Sequence, residues 1–186
     1  MKEYWKGGNM LYPLPAVLVT CGDIKGKKNI FTVAWCGTCC TNPPMVYISV
    51  RKERYSYNII KENMEFVLNL TTKDLVYETD YCGVKSGKDI DKFKELNLDI
   101  FESRFVKCPS LDKSPVNMEC KVKEIIPLGS HDMFLAEVVG VTVNKDYIDD
   151  KNRFDLSKAN PITYSHGEYY DLGSYLGKFG YSIRKK

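Results

Sequence analysis

From residues 116 to 123 apolar and polar side chains alternate one by one: Val116, Met118, Cys120 and Val122 against Asn117, Glu119, Lys121 and Lys123. A period of two predicts a strand with one face buried and one face wet. After Pro127-Leu128-Gly129-Ser130, residues 133–143 are nearly all apolar, the pattern of a strand covered on both faces. Together these two segments predict a long antiparallel hairpin. Shorter apolar runs at 16–21, 28–36, 45–51 and 65–70 read as further strands, the first closing on Gly22-Asp23 as a hairpin turn. Three helices interrupt them, at about 56–63 with Ser56 as its N-cap, 73–81 and 89–96. Many short strands with few helices predict a mainly β fold, an antiparallel barrel with helical insertions. Neither repeats nor a linker break the chain, so residues 1–186 read as one domain with its core at about 12–172.

Residues 29–50 carry no charge and are long enough to cross a bilayer. Asn42-Pro43-Pro44 and the many β-branched and polar residues favour instead two strands joined by a proline turn. The start of the chain lacks an apolar secretory segment. Twenty-seven basic against 24 acidic residues leave a net charge of +3, too balanced for a nucleic-acid partner. The short basic tail Arg184-Lys185-Lys186 reads as a frayed end. Seven cysteines, an odd number in a chain too long to need disulfide staples, indicate reduced thiols and a cytoplasmic protein.

Candidate chemistry sits in the uncharged stretch. On the strand 28–36, Phe31, Val33 and Trp35 share a bulky side, while Ile30, Thr32, Ala34 and Cys36 form a mostly small one. The bulky side suits a core. The smaller side either leaves room for a flat ligand or packs closely against another layer. On the strand 45–51, Tyr47, Ser49 and Arg51 face away from Val46, Ile48 and Val50, and a helix start follows at Ser56. An arginine beside a helix N-terminus is suited to a phosphate, although a solvated edge arginine gives the same pattern. The basic loop 83–92, with Lys85, Lys88 and Lys92, lacks the glycine spacing of a Walker motif. A G-x-G-x-x-G nucleotide fingerprint is also missing.

Cys36-Gly37-Thr38-Cys39 has the spacing of a redox dithiol, but the prolines at 43 and 44 block the helix such a motif opens. The other cysteines are too scattered for a metal site. A single redox-sensitive thiol at Cys36 is the reading left for this motif. Tyr169, Tyr170 and Tyr175 suggest a subunit contact, with substrate stacking as the alternative. His166 has no evident partner in the sequence.

Taken together, Asn29-Ile30-Phe31-Thr32-Val33-Ala34-Trp35 and the run from Asn42 to Val50 resemble the flavin reductase-like, FMN-binding split-barrel family, flavoredoxin branch. Cys82-Gly83-Val84-Lys85-Ser86-Gly87-Lys88-Asp89-Ile90-Asp91-Lys92-Phe93 is similar to that branch's basic loop. Gly129-Ser130-His131-Asp132-Met133-Phe134 resembles the family's hairpin, and Ile162-Thr163-Tyr164 its closing strand. The segments follow in family order; Ala136 stands where glycine is common, and Cys39-Cys40 lies outside the pattern.

The resemblance implies a homodimer holding FMN non-covalently near the subunit interface. Asn29 and Thr32, Val33, Ala34, Trp35 and Cys36 would line the flavin ring. Ser49, Val50, Arg51 and Ser56 would hold the phosphate and ribityl chain, with Lys92 reaching the phosphate or the ring edge. His131 and Tyr164 would close the site. Since the flavin supplies the chemistry, the protein needs no catalytic residue of its own and no metal. The implied function is an oxidoreductase that takes hydride from NAD(P)H and passes electrons to free flavin, ferric iron or a redox protein. A carrier without a nicotinamide site, or a split barrel that has lost its cofactor and acts as a binding module, are the alternatives.

Overall fold

A computed structural model describes residues 1–183; the basic tail Arg184, Lys185 and Lys186 lies outside the described residues. The strands and helices are, in chain order, β1 (Leu14–Pro15), β2 (Val17–Gly22), β3 (Lys28–Val33), β4 (Cys36–Thr41), β5 (Pro44–Arg51), α1 (Tyr55–Asn63) and β6 (Glu65–Leu70). After them come α2 (Val76–Val84), α3 (Lys92–Glu95), β7 (Ile100–Glu102), β8 (Pro109–Leu111), β9 (Val116–Pro127), β10 (His131–Val143), β11 (Ile162–Ser165) and β12 (Glu168–Asp171). Seven strands form one antiparallel sheet in the order β3-β2-β6-β9-β10-β5-β4. Strands β1, β11 and β12 make a second, small sheet, and β7 pairs with β8. This is the mainly β, antiparallel barrel with helical insertions that the strand pattern predicted, and the split barrel that the resemblance implied.

Strand alternation explains the two cores. In β2, Val17, Val19 and Cys21 enter the larger core with Phe66, Phe134 and α1's Ile59 and Ile60. Leu18 points the other way, into a second cluster with Ile30, Leu75, Cys82 and Phe93 under α2 and α3. Both faces of β2 are therefore dry, at roughly 1.5–3 kcal/mol of stabilisation for each large apolar side chain so buried. The β2–β3 turn needs Gly22: its φ is +95°, and a Cβ there would stand 2.1 Å from the Lys27 carbonyl oxygen.

Four expectations change. The uncharged stretch holds three strands, not two: β3 stops at Val33, the chain bends at Ala34-Trp35, and β4 returns along β5. The polar side of β9 is not wholly wet, since Asn117 and Glu119 are buried. The Asn117 amide donates to Asn69 Oδ1 (2.8 Å) and the Leu111 carbonyl (2.9 Å), and Glu119 accepts the backbone N–H groups of Arg104 (3.1 Å) and Phe105 (2.6 Å). Conversely, β10 is only half covered. Phe134 and Ala136 are buried, but Met133 and Leu135 are partly open and Val141 is exposed. Finally, the helix expected over 89–96 shrinks to α3, capped by Asp91, whose carboxylate accepts from the N–H groups of Phe93 and Lys94.

Candidate functional site

The bend after β3 creates the site. Ser49 N–H donates to the Trp35 carbonyl at 2.8 Å, tying the bend to β5. Beside it opens a cavity of about 440 Å³. The segment Thr32 to Trp35 lines one side, and Ser49, Val50 and Arg51 of β5 adjoin it. The second half of α2 supplies Asp80, Gly83 and Val84, and the β11–β12 hairpin supplies Tyr164, Gly167 and Tyr169.

The small side of β3 is not itself the open surface. Ile30 packs beneath Leu75 and Cys82, and the Thr32 hydroxyl donates to the Thr79 carbonyl of α2. Close packing against another layer therefore describes residues 30–32. The space lies around the strand's end instead. Trp35 departs from the expected bulky core face as well. Phe31 and Val33 are in the core, but Trp35 is 36% exposed and stacks on His131, with ring centroids 4.5 Å apart. A strand keeps its two-sided alternation only while it stays extended, and the bend ends it.

A second cavity of about 500 Å³ adjoins the first; Phe31, Arg51 and Arg54 line both. Its walls carry Asn29, Ser56, Gly87 and Lys92. Ser56 is not the helix N-cap. That position is Arg54, whose side chain makes no capping bond and donates instead to the Gly83 carbonyl at 2.9 Å. The Ser56 hydroxyl lies inside the first turn, buried, and accepts from Asn29 Nδ2 at 2.7 Å. The uncapped start of α1 adds free N–H groups to a cavity already lined by cations, a combination that favours an anion.

Lys92 is buried, and its ammonium donates to the carbonyls of Cys82 and Lys85, both at 3.1 Å. It thereby clasps the loop between α2 and α3. Burial lowers its affinity for the proton below that of a free lysine. Arg51 is half exposed and meets Glu53 at 3.1 Å on its solvent side. The clasped loop brings Gly87 onto Asn29: a Cβ at Gly87 would fall 2.1 Å from Asn29 Oδ1. Only glycine lets the loop backbone come this near.

His131 faces Arg51 across the β10–β5 pairing. Its Nδ1 lies 2.9 Å from the Ser130 hydroxyl. Desolvation, followed by the charge of Arg51, holds its pKa below the ordinary histidine value. The ring is therefore neutral near pH 7. His166 also has a partner, Tyr12, whose ring centroid is 4.1 Å away. Tyr169 belongs to the first cavity rather than to an outer tyrosine patch. Burial and the neighbouring Asp80 carboxylate push its phenol up to about 12. Tyr170 and Tyr175 are exposed.

Cys36 does not line the cavity. It is buried in the main core, and desolvation raises its thiol to about 12, which removes the thiolate that redox chemistry needs. All seven cysteines are unpaired, and Cys39 is exposed on β4. Among the described residues no cluster of metal-ligating side chains is found.

Of the predicted residues, Thr32, Val33, Ala34, Trp35, Ser49, Val50, His131 and Tyr164 come together at the first cavity. Asn29, Ser56 and Lys92 meet at the second, and Arg51 spans both. Sequence reasoning missed Arg54 and Asp80. Arg54 carried a faint signal as a second cation beside a helix start. Asp80 carried none, because its role depends on how α2 lies across β3.

The sequence pattern of the Flavin reductase like domain matches residues 9–173. A protein of unassigned function from Archaeoglobus fulgidus is 32% identical over 141 residues, 76% of this chain and 78% of its own length. Among solved structures, the flavoredoxin of Desulfovibrio vulgaris (Miyazaki F) is 31% identical and superposes with a TM-score of 0.90, covering 99% of this chain and 100% of that one. The flavoredoxin of Methanosarcina acetivorans is 27% identical with a TM-score of 0.87, over 99% and 100% of the two chains.

Proposed function

Since the chain belongs to the flavin reductase-like family, we propose that its two linked cavities hold one molecule of FMN, through which it passes hydride or electrons as an oxidoreductase. The observation that carries this reading is the junction of the cavities at Phe31, Arg51 and Arg54. A ring-sized space on one side and a cation-lined space on the other suit a planar group joined to a phosphate. The close approach of Gly87 to Asn29 suits it too, since the loop backbone closes the basic end.

In this reading Arg51, Arg54 and Lys92 supply positive charge to the phosphate, with the α1 N-terminus and the Ser56 hydroxyl beside them. Backbone groups of Val33, Ala34 and Trp35 meet the ring edge. Neutral His131, held against Trp35, closes one end without adding charge, while Tyr164 and Tyr169 exclude water from the other. FMN, when bound, supplies the hydride and electron chemistry. The residues of this chain bind, orient and shield, so none is assigned as a catalytic acid, base or nucleophile.

NADH or NADPH is the proposed donor, and free flavin, ferric iron or a redox protein the acceptor. The likeness to two flavoredoxins favours a second reading, a carrier that exchanges electrons with protein partners and has no nicotinamide site. Exposed Trp5 and Phe179 support a homodimer that covers them. The unpaired thiols support a cytoplasmic setting.

The test is an anaerobic titration of the FMN-loaded protein with each nicotinamide. Rapid bleaching of the flavin absorption supports the reductase. No bleaching, with fast reduction by a reduced ferredoxin-type protein, supports the carrier. Failure to retain FMN after desalting refutes both.

A further inference from the structure

A third cavity, of about 330 Å³, meets the first at Trp35 and Ser49, which line both. Its other walls come from Tyr47 of β5, Leu14 of β1 and the stretch between Gly8 and Tyr12. That stretch has no regular secondary structure and carries Met10 and Leu11, which are 60% and 83% exposed.

We propose that this cavity binds a flat, uncharged ring of about two fused cycles, aromatic or quinonoid. Three observations lead there. First, the volume lies at the lower end of the roughly 300–1,000 Å³ typical of small-molecule sites, enough for a bicyclic ring but not for a dinucleotide. Second, no lining residue is charged, whereas Arg51, Arg54 and Lys92 all line the neighbouring second cavity. An anionic ligand would gain nothing in the third cavity and would be drawn to the second. Third, the Trp35 indole is braced by its stack on His131 and leaves about a third of its surface open. A braced indole offers a stacking surface at little cost in side-chain entropy. Met10 and Leu11 lose exposure to water when a ring packs against them, which favours binding.

The claim of binding stands without the flavin. Its meaning rests on the proposed function: a ring in this cavity lies against the wall of the cofactor cavity, in the position of a second reactant.

The probe is 2-naphthol, neutral at pH 7, with naphthalene-2-sulfonate as its charged counterpart. Calorimetric titration of the full chain, without FMN and saturated with it, gives the affinities. The proposal expects one 2-naphthol per chain under both conditions and at least tenfold weaker binding of the sulfonate. The exposed substitution Leu11→Glu, which puts a carboxylate in the lining, should weaken 2-naphthol at least tenfold and change FMN affinity less than twofold. Displacement of 2-naphthol by FMN, equal or tighter binding of the sulfonate, or indifference to Leu11→Glu would overturn it. Should FMN itself fail to bind, the proposed function falls, while the sulfonate and Leu11→Glu titrations still decide this site.

Discussion

Gly87→Ala tests how tightly the basic loop is fitted. The added Cβ would stand 2.1 Å from Asn29 Oδ1, 2.6 Å from its Cγ and 2.9 Å from its Nδ2. Asn29 cannot simply swing away, being 5% exposed and bonded to Ser56 at 2.7 Å. Overpacking of this kind costs about 1–3 kcal/mol. Losing the amide–hydroxyl bond adds about 0.5–1.5 kcal/mol if the side chain is displaced. The alanine recovers about 0.4–1 kcal/mol by restricting the unfolded chain. The expected net loss is therefore about 0.5–4 kcal/mol, together with weaker FMN binding as the loop backs off the basic cavity. Urea unfolding of the wild type, Gly87→Ala, Asn29→Ala and the double variant separates the clash from anything else. Once Asn29 is truncated the clash is gone, so Gly87→Ala should then be neutral or stabilising by up to about 1 kcal/mol, with a coupling energy of about 1.5–4.5 kcal/mol. An equal cost in both backgrounds would refute the close approach.

Arg51→Ala should weaken FMN binding by about 1.5–3 kcal/mol, roughly 10- to 150-fold, in a flavin fluorescence titration; unchanged affinity removes Arg51 from the phosphate site. His131 should titrate in NMR below the ordinary histidine value of about 6.5, because it is desolvated and faces Arg51. In that window the unfolded chain binds the proton first, so stability rises with pH there and is lost as pH falls through the folded-state value. A midpoint at or above the ordinary value contradicts this. Alkylation of the native protein read by mass spectrometry should mark exposed Cys39 while sparing Cys36 until denaturant is added; early labelling of Cys36 would show that the core around it opens.

Much of the architecture was legible because it is written in alternation. The β9–β10 hairpin, β5's division into Val46-Ile48-Val50 and Tyr47-Ser49-Arg51, and the nearness of Arg51 to a helix start all follow from spacing along one or two elements. What failed was non-local. Alternation through residues 28–36 does not announce the bend at Ala34-Trp35, so the pattern alone puts Trp35 on the core side, where the resemblance puts it at the ring, and it puts Cys36 on the ligand side, where the structure buries it in the core. Ser56 has the chemistry of an N-cap, but Asn29, 27 positions away, claims its hydroxyl. Asn117 and Glu119 look like solvent-facing polar residues, yet partners at Asn69, Leu111, Arg104 and Phe105 keep them buried. Lys92 is implied to reach the phosphate or the ring edge, whereas the carbonyls of Cys82 in α2 and Lys85 in the loop hold its ammonium. In each case the deciding partner comes from elsewhere in the fold or from a turn of the loop that spacing does not specify.

In the proposed function a phosphate seated among Arg51, Arg54 and Lys92 anchors a ring lying along Val33 to Trp35. Parallel titrations of the flavin-free protein with FMN and with riboflavin, which differ only in that phosphate, address it most directly. FMN should bind at least roughly a hundredfold tighter, as charge-assisted bonds to a phosphate require. Equal affinity for the two, or none for either, would contradict it.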